Sequence, residues 1–410
     1  MEDMKRATVA AGTNNADSNG TGPGSGLVPR ITRRGNGWRV GAVLLALGVL
    51  GAGFLYVNRD DSPEAPPAWK PGPFDPPVQY AFVPQASDCH DRFDAEDENT
   101  TPNMVTCSEW QLRVNHKKGG GRQDLDTAGV SCGGVEIGDD DCSSDIPLSD
   151  AASQIRLEGS RRKSAPLRIT PDGHHLAYFS RQHMRFVGWD LPTAQLKAIS
   201  PRLDARAFGD VSGVEISPDG RFFAVAFSGA RPRLLLTDFV TGQTSAFPGL
   251  CNVQGLSESA AVIAARRTCP EDGENDPASN TVTILDHKGA VTGEWRGGDF
   301  MGGLSPDGRL LVEILADVGG NGKEYLVTYD AETGKTVNKL ELRLLSEPSD
   351  AVGYGWLNAD EYIVEAKSPE PGGSFGYYQV DVRTGKSQRI RDLGLNPGAK
   401  VFLGKVHIDR

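Results

Sequence analysis

Few side chains in this 410-residue sequence stand at the spacings that chemistry needs. Ser160 and Lys163 are three apart, the Ser-x-x-Lys arrangement in which a lysine beside a serine hydroxyl can take its proton. They belong to a basic stretch, Ser160-Arg161-Arg162-Lys163, that lacks the companion motifs of that chemistry and reads as a loop. The histidines include His174, His175 and His183, with no His-Glu-x-x-His pair to put two imidazoles on one helix face around zinc. His174 and His175 open a strand after a turn, where one of them should face solvent. Three acidic segments, residues 91–99, 139–141 and 271–276, gather the carboxylates that Ca²⁺ takes. None keeps the Asp-x-Asp-x-Asp-Gly spacing, and solvated loops are the simpler expectation. No glycine-rich phosphate loop follows a strand and opens a helix. The sequence therefore nominates no catalytic residue, no metal ligand and no cofactor.

The cysteines are more informative. Cys89, Cys107, Cys132, Cys142, Cys251 and Cys269 all follow residue 57. An even count confined to one side of an apolar segment points to disulfides in an oxidising compartment. No two stand at Cys-x-x-Cys spacing, which argues against a structural zinc. Nearest-neighbour pairing is expected, Cys89–Cys107, Cys132–Cys142 and Cys251–Cys269, as one of several connectivities.

What must position any functional group is an internal repeat. RITPDGHHLAYFS from Arg168, EISPDGRFFAVAFS from Glu215, GLSPDGRLLVEIL from Gly303 and WLNADEYIVEA from Trp356 lie over one another, with a degraded copy, GLSESAAVIAARR, from Gly255. Aligned on Thr170, Ser217, Ser257, Ser305 and Asn358, the steps are 47, 40, 48 and 53 residues, the length of a four-stranded propeller blade. Pro171, Pro218 and Pro306 preset φ for a turn, and the following Asp and Gly complete a tight reversal. Each turn opens onto an apolar run such as FFAVAF, with little alternation, as suits a strand buried on both faces. A second signature follows: a β-rich run, an Asp, then Thr-Gly, ending at Gly242, Gly334 and Gly385, with looser copies ending at Gly289 and Ala194. A hairpin with a left-handed residue at the end of its loop is the expected form.

The pairing of Ser-Pro-Asp-Gly with Asp-x-x-Thr-Gly resembles the TolB-type and WD-repeat-like β-propellers of bacteria. It spans residues 165–395 in five recognisable repeats. The resemblance implies an all-β propeller, six-bladed with seven as the alternative. Such proteins serve as binding platforms, and in some enzymes as a gating domain. Residues 78–160 fit less well and read as one irregular, disulfide-bearing blade. The C-terminal run KVFLGKVHI is expected to pair with it and close the ring, because an open ring leaves two long edges unpaired.

Ahead of the propeller, residues 40–57 form an uncharged apolar run. As a helix it would be about 27 Å long, close to the hydrocarbon thickness of a bilayer. Arg30, Arg33, Arg34 and Arg39 precede it, while Asp60 and Asp61 follow. The positive-inside rule puts residues 1–39 in the cytoplasm as a disordered basic tail and the propeller outside the cell. Residues 58–77, rich in proline, read as a stiff stalk. The anchor and composition are similar to those of actinobacterial surface proteins. The net charge of −11 divides into +3 for residues 1–39 (six basic, three acidic), none for 40–57, and hence −14 for the remainder. A body this acidic repels phosphate backbones, so nucleic acid is not an expected partner.

The expectation is a membrane-anchored, non-catalytic binding or scaffold module for a protein, peptide or cell-wall glycan. The alternatives are a sensor coupling outside binding to a cytoplasmic partner, and a propeller enzyme using its channel. Trp189, Trp295 and Trp356 are the aromatics to examine for binding, although each reads as core.

Overall fold

The computed structural model describes residues 77–83, 106–107, 110–117, 141–157, 161–267, 281–297, 303–316, 323–345, 350–368, 375–390 and 400–405. All lie in one compact unit, residues 66–410. The tail, the run 40–57 and the stalk up to residue 76 fall outside the described residues. Among the described residues, no helix is long and apolar enough to cross a membrane.

Six antiparallel sheets make the blades, numbered here in ring order. Blade 2 holds Arg168–Ile169, His175–Ser180, Arg185–Asp190 and Gln195–Ala198. Blade 3 holds Val211–Ile216, Phe222–Phe227, Arg233–Asp238 and Thr244–Pro248. Blade 4 holds Asn252–Leu256, Ile263–Arg266, Thr281–Leu285 and Val291–Arg296. Blade 5 holds Leu310–Ala316, Glu324–Asp330 and Thr336–Leu342, with the bridge from Leu304 to Leu311 at its first-strand position. Blade 6 holds Asp350–Trp356, Glu361–Lys367, Phe375–Asp381 and Ser387–Arg389.

Blade 1 is made from both ends of the propeller. Lys400–Leu403 takes the first position, followed by Val78–Val83, Gln111–Lys117 and Asp141–Pro147. Tyr80 pairs with Leu403 and Phe82 with Val401, antiparallel. The expected closure is thus present, and the ring has six blades. Pairing the last strand with the first removes the free edges that an open ring would expose.

Residues 78–160 differ from expectation in one respect. They do not make a single irregular blade. Thr106–Cys107, Gln154–Arg156 and Arg162–Ser164 form a separate three-stranded sheet. The buried Trp110 marks the change of sheet, with its indole N–H donating to the Ala152 carbonyl at 3.0 Å. Ile155 of this small sheet, with Phe208 of the short helix Ala205–Gly209, joins the core between blades 2 and 3.

Second strands are buried on both faces, as their composition requires. In Phe222–Phe227 every residue is buried. Phe223, Val225 and Phe227 enter the cluster shared with blade 2, while Phe222, Ala224 and Ala226 enter the one shared with blade 4. The strand's period of two thus serves two neighbours.

The turn motif is fixed by its hydroxyl. Thr170, Ser217, Ser257 and Ser305 are each at most 2 % exposed. Their side-chain oxygens accept from the amides of His175 (3.0 Å), Phe222 (2.9 Å), Val262 (2.8 Å) and Leu310 (2.9 Å). Ser217 and Ser305 donate in turn to Asp219 and Asp307, both at 2.6 Å. In the degraded copy Ser259 and Ala260 take positive φ of 54° and 46° in place of the Pro-Asp-Gly turn. Gly220, at φ 69°, also meets a neighbour: a Cβ there would lie 2.2 Å from the His175 ring of blade 2.

Candidate functional site: the central channel

Each first strand runs toward the face that carries the Pro-Asp-Gly turns. Together the first strands of five blades and the Leu304 segment of blade 5 enclose a cavity of about 540 Å³. Pro171, Pro218 and Pro306 stand at one mouth; Ser212, Asn252 and Val352 lie near the strand starts, toward the other.

Two devices bring polar groups into this channel. The first is a layer two residues before the aligned turn residue, Thr170, Ser217, Ser257, Ser305 or Asn358. Around the ring it reads Arg168, Glu215, Gly255, Gly303 and Trp356 in blades 2 to 6, and all five line the cavity. Arg168 Nε donates to Glu215 Oε1 at 2.9 Å, with the side chains 34 % and 25 % exposed. The guanidinium also donates from Nη1 to the Leu167 carbonyl at 3.2 Å and lies over the Phe402 ring, 5.0 Å from its centroid. Among the described residues, Arg168 Nη2 and Glu215 Oε2 have no hydrogen-bond partner. Blades 4 and 5 carry glycine at this level, so the wall there is backbone. Gly255 is required by packing, since a Cβ would meet the Leu304 amide at 2.6 Å. Trp356, 9 % exposed, donates its indole N–H to Gly303 O at 3.1 Å and closes the layer.

The second device is a set of β-bulges. The register of the first strand shifts between Val211 and Gly213, between Val253 and Gly255, and between Gly353 and Gly355. The extra residues are Ser212, Gln254 and Tyr354, and all three line the cavity. A bulge re-aims a side chain out of the ladder, and here three blades use it at the same wall. The Tyr354 hydroxyl donates to the Val401 carbonyl of blade 1, across the closing seam. Burial, with Tyr377 and Glu365 close by, holds the Tyr354 phenol well above its usual range. It is a neutral donor that helps close the ring.

The residues singled out in the sequence fall elsewhere, with one exception. Trp356 lines the channel. Trp189 is buried between blades 1 and 2, and Trp295 donates to the Ala331 carbonyl at 2.9 Å, joining blade 4 to blade 5. Lys163 is not in a loop. It lies in a strand, with Nζ donating to Gly209 O at 2.7 Å and Val211 O at 2.5 Å. His174 lies beside Asp172 at 3.5 Å, with its side chain 33 % exposed. His175 and His183 are near opposite ends of the strand His175–Ser180. Among the described residues, no group of three His, Cys, Asp or Glu side chains could hold a metal ion. The acidic segments 91–99 and 271–276 lie outside the described residues.

Cys107 and Cys251 are buried and neither is a free thiol. Cys89, Cys132 and Cys269 lie outside the described residues; Cys142 is described only as a backbone position opposite His116. The pairing itself therefore falls outside what is described.

A Gly-x-Ser-x-Gly spacing, Gly372-Gly373-Ser374-Phe375-Gly376, occurs in the sequence. In hydrolases this spacing works at a strand-to-helix turn. Here Phe375 begins a strand antiparallel to Glu361–Lys367, so the segment connects two strands of blade 6. Ser374 itself is outside the described residues.

No family model matches the chain, and no curated protein matches it. Among solved structures it is similar to TolB from Acinetobacter baumannii, at 16% identity and TM-score 0.35, covering 77% of this chain and 66% of that one. The chain thus spans about two thirds of that protein's length. It is similar to the putative TolB from Agrobacterium tumefaciens, at 14% identity and TM-score 0.37, covering 56% and 82%. It is also similar to oligogalacturonate lyase from Vibrio parahaemolyticus, at 10% identity and TM-score 0.37, covering 58% and 70%. The propeller assignment rests on the sheet order above. Shared architecture does not choose between a binding protein and an enzyme.

Proposed function

We propose that this chain is a membrane-anchored, extracytoplasmic β-propeller that acts by binding, without catalysis, and that its ligand, a protein, peptide or cell-wall component, is engaged at the central channel. The observation that carries the reading is convergence: an Arg–Glu pair and the three bulged residues Ser212, Gln254 and Tyr354 line one cavity of about 540 Å³. That volume is within the range of small-ligand and chain-end sites, about 300–1,000 Å³. The anchor is supported by the run 40–57 and its flanking charges, and the outside address by cysteines confined to the far side of it.

The test uses the full-length protein in its native membrane. Protease added to intact cells should remove the propeller and spare the tail. Chemical crosslinking should then capture a partner with wild-type protein, and at least about tenfold less of it with Arg168→Gln or Glu215→Gln. A protected propeller would defeat the proposed address. Equal capture by both variants would defeat the channel as the site.

A further inference from the structure

The Arg168–Glu215 pair narrows the ligand chemistry, on the basis that the channel is the binding site. A lone arginine in such a cavity would select an anion, and a lone glutamate a cation. Here the two charges compensate each other at 2.9 Å, which leaves no net charge at this level of the channel. Each partner still keeps one unspent polar atom. Arg168 Nη2 can donate and Glu215 Oε2 can accept, and the 2.9 Å bond between their neighbouring atoms keeps the two groups adjacent in residues that both line the cavity. The Phe402 ring covers one face of the guanidinium, so its edge is the part that meets a ligand.

A neutral group that matches this pair must present an acceptor next to a donor, on the same side. The amide of a trans peptide bond fails, because its C=O and N–H point in opposite directions. A vicinal diol succeeds, because each hydroxyl both donates and accepts. The bulged Ser212 and Gln254 and the nearby Asn252 add neutral polar side chains to the cavity lining further along the channel, with the Ser212 hydroxyl donating to the Cys251 carbonyl. Gly255, Gly303 and Gly355 leave backbone, free of side chains, for the C–H faces of a ring to approach. We infer that the channel takes a neutral sugar, with a vicinal diol bridging Arg168 Nη2 and Glu215 Oε2. A primary carboxamide, as on an Asn or Gln side chain, has the same local pattern and is the competing outcome.

Isothermal titration of the full-length protein in detergent tests this. The probes are neutral trisaccharides with gluco, manno, galacto and arabino diols, together with trigalacturonate and N-acetylglutamine amide. The expected result is binding of at least one neutral trisaccharide, weakened at least about tenfold by Glu215→Gln. Arg168→Lys should weaken it similarly, since an ammonium keeps the charge and loses the planar fork. Both variants should keep the wild-type melting temperature within a few degrees, which separates lost recognition from lost folding. Tighter binding of trigalacturonate or of the glutamine amide would overturn the sugar assignment while leaving a channel ligand in place. Trisaccharide binding unchanged in both variants would remove the pair from recognition. No binding by any probe would overturn the sugar class, and the photo-crosslinking described below then decides the channel separately.

Discussion

The amide of Phe239 donates to the carbonyl of Arg221 at 2.7 Å. Arg221 follows the Pro-Asp-Gly turn of blade 3, and Phe239 follows the Asp of its Thr-Gly turn. The same bond recurs from Leu191 to His174 (3.0 Å), Ala331 to Arg309 (2.8 Å) and Val382 to Asp360 (2.9 Å). The two sequence signatures therefore meet on one face of the ring and are tied to each other inside each blade. In blades 2, 3, 5 and 6 an ion pair adds to the turns, as with Asp172 beside His174, Arg221 with Asp238 and Arg383 beside Asp360. Between blades the outer turns lock in the same way. Lys197 bonds the Phe239 carbonyl, Trp295 the Ala331 carbonyl and Asn338 the Val382 carbonyl. A blade is thus a repeat of hydrogen bonds as well as of strands.

The turn hydroxyl should be a stability determinant. Ser217→Ala removes the acceptor for the buried Phe222 amide and the donor to Asp219. Leaving such groups unpaired costs about 1–3 kcal/mol. Ser305→Ala should fall in the same range. Urea unfolding midpoints with an unchanged m-value would measure it, and a loss below about 0.5 kcal/mol for both would contradict the clamp.

Ring closure should depend on the C-terminal strand. Val401 is buried against Tyr80 and Phe82, and its carbonyl takes the Tyr354 hydroxyl. Val401→Asp buries an unpaired carboxylate and should destabilise the protein by several kcal/mol. Val240→Asp, at a site 70 % exposed on the outer turn of blade 3, should change stability by less than about 0.5 kcal/mol. Similar melting temperatures for the two variants would refute closure by this strand.

The turn carboxylates set an acid limit. The Thr333 hydroxyl and amide hold Asp330 below the usual carboxylate range. Burial would raise Asp219, but hydrogen bonds from Ser217, Ser259 and Arg221 outweigh it and lower it. Asp238 and Asp381 are lowered likewise against partial burial, chiefly by the Arg221 side chain in the first and by the Thr384 and Arg383 amides in the second. A depressed folded-state pKa contributes stability above the unfolded value, near pH 4, and loses it as pH falls through the folded values. The melting temperature should therefore drop steadily below about pH 4. A flat profile there would count against these bonds.

The cysteines give a compartment test. If all six are paired, the protein unfolded in guanidinium without reductant should show no reactive thiol. Detection of two or more thiols per chain in material taken from the native host would contradict an oxidising address.

The fold was legible because its signals are local. Pro171, Pro218 and Pro306 each precede Asp-Gly, and turn chemistry of that kind is decided within a few residues. Even Ala194, lacking the glycine of its counterparts, keeps φ at 55° in the equivalent turn. The small sheet holding Cys107 and Lys163 was not legible, because its strands are too short to carry a period and one of its two pairings joins residues as far apart as Thr106 and Ile155. The channel was hidden for a related reason. Arg168 and Glu215 are separated by one whole repeat, and only the ring brings them together. One signal did exist: the position two before the aligned turn residue is occupied by Arg, Glu, Gly, Gly and Trp, a variable site inside an otherwise regular motif. The bulges at Ser212, Gln254 and Tyr354 each adjoin glycine, which hints at irregular strand without saying which side chain turns inward.

The most direct test of a channel ligand is site-specific photo-crosslinking in intact membranes. A benzophenone side chain placed at Val352, which lines the channel and is 53 % exposed, is compared with one at Val337, 58 % exposed on the outer strand of blade 5. A channel ligand gives an adduct at Val352 that is lost when Arg168→Gln is added, and none at Val337. An adduct at Val337 with none at Val352 would place the ligand on the outer rim and contradict the channel as the binding site.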